Sequence, residues 1–572
     1  MPANEQKMHS LYLAILIICI CLLPGRPDLL AQPGPAGMDA GIWSADSDLI
    51  WEDLVLMRLE SMINPEDEAP DLLWLIEELQ PYLYRPLNLN QASDEELRKI
   101  LIISENQIQA LRQHIEKFGK LASVYELQAI DAFDPITLAA IEPLISVRET
   151  PLNTPLSLRQ GFVDQGRIQY FFRVQQLLES QKGYQASEEG NPFYEGSPLR
   201  LYSRFRYTWH QYISLGFTAE KDPGEAFFRG SQARGFDFYS AHLLIRDIGP
   251  LKALALGDHQ LQFGQGLAMW TGMAFGKSAD AVNIKKNARG ILPATSAEEN
   301  LLMRGAAASL TKGNFVLSLF GTYRPRDARL ACLQGNDSCE MVITGLPVSG
   351  LHRSESELAS RKTARETILG GNLNYKKTGF NLGMTLVYSS FDKPMQRNLH
   401  TYQRFERNQR ESGVASADFS LIKASNHIFG ELAVDSQGNP AGLGGLVMAP
   451  HRRVSLAVLY RNYAFNFQPL YSAAMAESSS PSNEEAFYLA LQIHLLPRLR
   501  FSAYADHFRF RWMRYRCYQP SEGSDHMMQL KYTPNRQTEW YLRFRRKTQY
   551  LNTSAAQHSP FALPVTTYRL RL

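Results

Sequence analysis

At 572 residues the chain is too long for one small domain, and a composition 44% hydrophobic and 20% charged excludes a wholly disordered polymer. The net charge of +3 hides a split: residues 46–147 hold 20 acids against 7 bases, residues 1–45 hold 3 against 2, and residues 148–572 carry the balance, about +17. An acidic front joined to a basic body implies a different partner for each part.

Residues 1–31 read as a signal peptide. Lys7 precedes the apolar run Leu11–Leu23, too short to span a bilayer comfortably, with Pro24-Gly25 behind it. Cleavage is expected near Ala31-Gln32, and an uncleaved anchor is the alternative. Cys19 and Cys21 fall inside this run. Cys332 and Cys339 share the turn-rich stretch ACLQGNDSCE, where an exported chain is expected to form a local disulfide rather than keep two free thiols. Cys517 is left over. No Cys/His spacing suggests a metal, and no cofactor is expected.

Residues 45–85 read as an acidic helical segment. Ile50, Leu54, Met57 and Met62 recur at helical spacing, as do Leu72, Leu73, Leu75, Ile76 and Leu79, and Pro65 and Pro70 separate the two runs. Arg58 is the only base between Asp46 and Gln80, against 11 acids. Two readings stay open: a solvated helix pair packed on its neighbour, or a docking surface for a periplasmic protein partner.

The stretch LNLNQASDEEL, residues 87–97, offers Ser93 and Glu96 as a capping box. It resembles the entry of competence-type helix-hairpin-helix proteins. VYELQAIDAFDPITLAAIEPLISV, residues 124–147, resembles the matching second half. Residues 86–148 thus resemble a tandem helix-hairpin-helix domain, which implies a DNA-gripping fold with hairpins at 100–104 and 130–134. Ile102, Ser104, Ala132 and Asp134 are its candidate hairpin positions. Such a hairpin offers backbone N–H groups at a helix N-terminus to a phosphate, and glycine permits the close approach. Both hairpins here lack glycine, and Ile102 is expected to put a branched side chain where phosphate would sit. Residues 87–147 hold nine acids and five bases. Phosphate binding rests on Lys and Arg, so the fold is expected to be kept and the grip on nucleic acid lost.

From residue 160 to 572 the period changes to two. In FNLGMTLVYS, Phe380, Leu382, Met384, Leu386 and Tyr388 alternate with polar or small residues, and no apolar run of helical membrane-spanning length appears. Aromatics crowd the apolar faces. Short turns, such as Gly249-Pro250 and Lys377-Thr378-Gly379, alternate with long loops, such as 181–198 and 323–366. Eight short hairpins with a first and a last strand predict about 18 strands, an even number, which is the pattern of outer-membrane barrels. The expected fold class is therefore α + β multidomain: a small all-α periplasmic domain followed by an antiparallel transmembrane β-barrel.

Arg173, Arg200, Arg204, Arg206, Arg543, Arg545, Arg569 and Arg571 fall on the polar, lumen-facing side of their strands. They are read either as wall residues paired with carboxylates or as binders of anionic polysaccharide, lipopolysaccharide phosphate or nucleic acid. The long segment after GDHQLQFGQGLAMW carries Lys277, Lys285, Lys286 and Arg289. It is read either as a constriction loop folded into the barrel or as a loop on the rim. The GQG at 264–266 has no strand-turn-helix unit around it and no nucleotide meaning.

The GDHQLQFGQGL, FGKSAD and KKNARG blocks, with the signal peptide and the paired hairpins, make the whole chain resemble a group of Gram-negative helix-hairpin-helix envelope proteins. The resemblance implies an outer-membrane location with outer-membrane lipid around the barrel. The expected function is a channel or surface-anchoring platform for anionic polymer. A DNA-uptake component is the second reading and a surface hydrolase on a barrel the third; no catalytic motif supports an enzyme.

Overall fold

The structure, a computed structural model, describes residues 45–60, 76, 79, 82–83, 86–147 and 166–572, apart from 93, 131, 180, 186–192, 210–211, 275, 295–301, 335–338, 424–425, 452, 497, 536–537 and 553–560. The expected signal peptide, the Ser93 cap and most of the second acidic helix lie outside these residues. The chain divides into two compact units, Met1–Ile50 and Trp51–Leu572, and the account below concerns the second.

A small helical region comes first. It comprises α1 (Ala45–Glu60), α2 (Asp94–Lys99), α3 (Glu105–Phe118) and α4 (Pro135–Ile141), tied by a parallel ribbon of β1 (Leu87–Asn88) and β2 (Ile145–Ser146). Helix α1 packs Leu54 at the edge of the helical core but turns Met57 outward. Trp51, Val55 and Leu59 go inward instead, and Met57 is 40% exposed. Positions i, i+4 and i+8 form one stripe, and it wins because Trp51 brings the largest apolar area and satisfies its indole N–H on the Ala140 carbonyl at 2.9 Å. Helix α3 starts at a capping box. The Ser104 N–H donates to Gln107 Oε1 at 2.9 Å, and the Gln107 N–H donates to Ser104 Oγ at 3.4 Å. Helix α4 starts at Asp134, which accepts the Thr137 N–H at 2.9 Å, with Pro135 in the first turn.

The rest is a closed antiparallel barrel. Its strands are β3 (Arg167–Gln176), β4 (Leu199–Trp209), β5 (Ile213–Lys221), β6 (Phe238–Ile248), β7 (Leu251–Gln262), the short β8 (Gly290–Pro293), β9 (Met303–Lys312) and β10 (Phe315–Arg326). A small hairpin, β11 (Arg329–Gln334) and β12 (Cys339–Gly345), and the helix α5 (Glu355–Ser360) interrupt the barrel. It resumes with β13 (Ala364–Lys377), β14 (Phe380–Phe391), β15 (Glu411–Lys423), β16 (Asn426–Asp435), β17 (Pro440–His451), β18 (Val454–Tyr463), β19 (Glu484–Leu496), β20 (Leu499–Phe510), β21 (Ser521–Tyr532), β22 (Trp540–Asn552) and β23 (Ala562–Arg571). Among the described residues, 18 long strands run in sequence order around the ring, and β23 returns to β3. One end carries tight turns such as Gly249-Pro250 and Lys312-Gly313-Asn314; the other carries the long loops.

Because successive side chains on a strand alternate sides, one anchored residue fixes the facing of its whole row. Asp506 and Asp525 pair across β20 and β21, and both bind Lys277 on a loop inside the ring, so their row faces inward. The opposite rows face outward and are apolar: Leu317, Leu319, Leu382, Met384 and Leu386 are 40–62% exposed. Aromatic residues stand near both ends of these rows, Phe315 and Trp540 by the tight turns and Tyr323 and Tyr388 by the long loops.

Cys332 is disulfide-bonded. The Cys339 side chain lies outside the described residues, and its backbone stands opposite Gln334. Cys517 is a free, buried thiol.

Candidate functional site

The barrel interior has two unlike sides. On one, the segment after β7 folds inward and packs on the wall. Its first turn needs glycine: Gly264 and Gly266 have φ of 58° and 85°. That turn aims the Gln265 and Leu267 N–H groups at the Glu431 carboxylate of β16, at 2.6 and 3.0 Å. Leu267, Ala281, Val282 and Ile284 then pack on Phe429, Leu443, Leu459, Tyr488, Tyr504 and Met527 of the inner wall. Each large apolar side chain buried in this way contributes roughly 1.5–3 kcal/mol.

The four bases expected in that loop are held by the protein's own groups. Lys277 is buried against Glu477, Asp506 and Asp525. Lys285 donates to Asn287 Oδ1 at 3.0 Å. Lys286 stands 4.9 Å above the Trp270 ring and donates to the Ala473 carbonyl. Arg289 donates to Gln262 Oε1 at 3.3 Å. Lys277 and Arg289 anchor the loop to the wall, and Lys285 and Lys286 tie it to itself and to the loop that carries Ala473.

The helical region meets both this loop and the barrel end with tight turns. Arg58 of α1 binds Asp280 at 3.0 Å, both buried, and its Nε donates to the Ile102 carbonyl at 3.3 Å. Met273 packs on the helical core. Asp134 lies 3.6 Å from Arg500, one residue into β20. Burial pushes the Asp134 carboxyl up, but Lys531, Arg500 and Arg58 outweigh it and hold it well below the usual carboxylate range.

The four hairpin positions are now placed. The Ile102 side chain is fully buried in the helical core. It does not stand at the mouth of a phosphate seat, because with no glycine in the turn the apolar side chain gains more from burial. Ser104 and Asp134 are helix caps, and the Ala132 carbonyl accepts Gln107 Nε2 at 3.1 Å. The N–H groups of Ser104, Gln107 and Thr137, at the starts of α3 and α4, are spent on these side chains. Asp134-Pro135 followed by Thr137 was a legible cap signal in the sequence.

The other side of the lumen is basic. In β22 and β23, Arg543 pairs with Arg571 and Arg545 with Arg569. Arg545 binds Asp525 at 2.6 Å, which places this row inside. Across the closure, β3 and β4 align Gln169 with Arg206, Phe171 with Arg204, Arg173 with Tyr202 and Gln175 with Arg200. Two inward cations missed in the sequence complete the strip. Lys547 sits two residues beyond Arg545, and Arg167 opens β3. The strip therefore holds ten cations, and β3, β4, β22 and β23 contain no Asp or Glu. Counter-charge comes from outside these strands: Arg200 binds Glu220 at 2.6 Å and Asp222 at 3.2 Å, and Lys547 binds Glu477 at 2.8 Å. Arg173 and Arg204 lie 5.3 and 5.9 Å from the Tyr202 ring. Water reaches this wall: Leu563 and Val565, inward on β23, are 54% and 41% exposed, and Arg569 and Arg571 are exposed.

A second charged cluster ties the long loops together. His352 binds Asp237 through Nδ1 at 2.5 Å and Asp327 through Nε2 at 3.0 Å, and Arg361 binds Asp237 at 2.9 Å. Glu225, Asp237 and His352 have ligand atoms within 4.8 Å of one another. Burial pulls the imidazole down, but its two carboxylate hydrogen bonds outweigh that and push it up to about 10. The imidazolium and the Arg361 guanidinium are the cations of this cluster.

No family model matches this sequence, and no curated protein matches it. Among solved structures, the chain is similar to OpdQ of Pseudomonas aeruginosa, at 10% identity over 72% of this chain and 99% of that one, with a TM-score of 0.33. It is also similar to the outer membrane protein OprD of the same organism, at 10% identity over 72% and 95% with a TM-score of 0.32. Wzi of Escherichia coli, an outer membrane protein involved in group 1 capsule assembly and a carbohydrate-binding β-barrel, is similar at 11% identity over 87% and 96% with a TM-score of 0.33. Likenesses this distant carry no argument about what the chain does, and the barrel stands on its own strand pairing.

Proposed function

We propose that the chain is an outer-membrane barrel with a periplasmic helical domain of the tandem helix-hairpin-helix type. It acts as a channel or surface-anchoring platform for anionic polymer. The apolar outer belt supports the membrane placement, since exposed apolar surface of this extent belongs in lipid. Contact between the helical region and the tight-turn end supports its periplasmic side. The observation that carries the reading is the ten-cation strip, free of acids on its own four strands and facing a lumen otherwise filled by protein. Such a wall concentrates anions: acidic polysaccharide or lipopolysaccharide phosphate. The acidic surface of the helical region remains the docking face for a periplasmic protein partner. DNA uptake draws no support from the hairpin turns, which lack glycine and whose Gln107 and Thr137 N–H groups are bonded to capping side chains.

The test is conductance of the full-length protein in planar bilayers under a salt gradient. The expected reversal potential favours anions, and Arg569→Glu with Arg571→Glu shifts it toward cations. An unchanged reversal potential in the double variant would remove the strip from the permeation path and overturn the reading.

A further inference from the structure

At the long-loop end, three loops converge on an aromatic surface that neither the strip nor the inward loop uses. The loops are 392–410, 464–483 and 511–520. Tyr402 stacks on His400 at 5.6 Å with 6° between ring planes, and on Tyr518 at 6.0 Å with 18°. It also meets Tyr515 at 6.0 Å. Beside this group, Phe405 contacts Phe465 at 4.7 Å and Trp512 at 4.9 Å. Tyr515 and Tyr518 are exposed, at 70% and 50%, as is Phe465. Aromatic rings left on a surface at this density mark a binding face.

The charge around them is mostly basic, with Glu485 at the start of β19 holding Arg511. The three loops hold eight basic and three acidic residues. One of those acids, Glu477, is buried on Lys277, and the other two, Asp392 and Glu406, bind Lys393 and Arg397. Arg404 and Arg516 are exposed beside Phe405 and Tyr515. Two sets of donors also stand without a hydrogen-bond partner among the described residues: Trp512 Nε1, and Nε and Nη2 of Arg514. A buried donor left unmet favours a ligand that brings an acceptor.

We propose that this face is a binding site for acidic polysaccharide, with Tyr402, Tyr515 and Tyr518 as the platform under sugar rings and Arg404, Arg514 and Arg516 as partners of uronate carboxylates. The C–H face of a pyranose lies flat on an aromatic surface, and guanidinium forks match carboxylates. The ring centroids lie 4.7–6.0 Å apart, and Tyr515 and Tyr518 keep much of their surface exposed. Single-stranded nucleic acid stacks on exposed rings of the same kind, and the test below separates it from the polysaccharide. The site rests on the outer-membrane placement proposed above and adds to it a capture surface at the outer mouth.

The test is binding of the full-length protein in nanodiscs to polygalacturonate, with neutral dextran and single-stranded DNA as comparison probes, at low and moderate salt. The expected result is salt-sensitive binding of polygalacturonate, little binding of dextran, and weakening by about tenfold or more in Tyr402→Ala with Tyr518→Ala. Arg514→Gln, which leaves the rings in place, is expected to weaken polygalacturonate binding as well. No binding at low salt, or tighter binding of the DNA, would overturn the proposal. Bilayer conductance separates it from the channel reading. Platform variants are expected to keep the native reversal potential while their polymer binding falls. Polymer binding lost only in the strip variant would place the ligand in the lumen and sink the platform.

Discussion

Arg58 is the only base in the first acidic helix, and its partners show why that one position is basic. It is buried with Asp280 and also holds the Ile102 carbonyl. Removing one partner of a buried pair strands the other charge, so Arg58→Ala is expected to destabilise the contact of α1 with the inward loop by about 3–5 kcal/mol. Hydrogen exchange of α1 measures this, and Arg58→Met with Asp280→Leu is expected to recover much of the loss. His352 makes a second prediction. Its folded-state pKa, about 10, lies above the ordinary 6.5. Its stabilisation of the loops is therefore full below about pH 6.5 and is lost as pH rises through about 10. The groups facing it are Asp237, Asp327, Glu225 and Arg361. Protease cleavage of the long loops is expected to rise near pH 10, and His352→Gln is expected to be cleaved readily already at neutral pH. Cleavage of the native protein that stays flat through pH 10 would contradict this.

At the scale of elements, the inward loop is the part most changed by its surroundings. Its glycine turn, its apolar run and Lys277 each meet a fitted partner on the wall, so it behaves as a fixed filler. Replacing residues 264–289 by a short turn is expected to raise single-channel conductance several-fold while the barrel still folds, because the strands keep their own registers. Heat-modifiable migration on gels checks the folding, and conductance checks the filling. Gly264 tests the turn alone. A Cβ there would stand 2.8 Å from the Glu431 carboxyl, at a positive φ. Gly264→Ala is expected to cost on the order of 1–3 kcal/mol, read as easier proteolysis of the loop. The helix α1 shows the same lesson in miniature: period 3.6 announced the helix, but the buried stripe was set by where Trp51 finds the Ala140 carbonyl.

Across the whole molecule, the sequence by itself determined the barrel, because two-residue alternation and the rhythm of short turns and long loops are local properties of the chain. Turns near Gly249, Lys312 and Lys377 and the strand over 380–391 stand where that rhythm put them. The inward facing of Arg200, Arg543 and Arg569 was legible for the same reason: parity along a strand fixes the side. What only the tertiary structure decided is which charges are spent within the protein. Lys277 and Arg543 look alike in the sequence. One is sealed among three carboxylates drawn from three other segments, and the other stands in a wall of cations whose own strands hold no acid. The hairpins tell the same story, since missing glycines were visible but Arg58 and Arg500 as their neighbours were not. Partners hundreds of residues apart meet only when the ring closes, and no local pattern records that meeting.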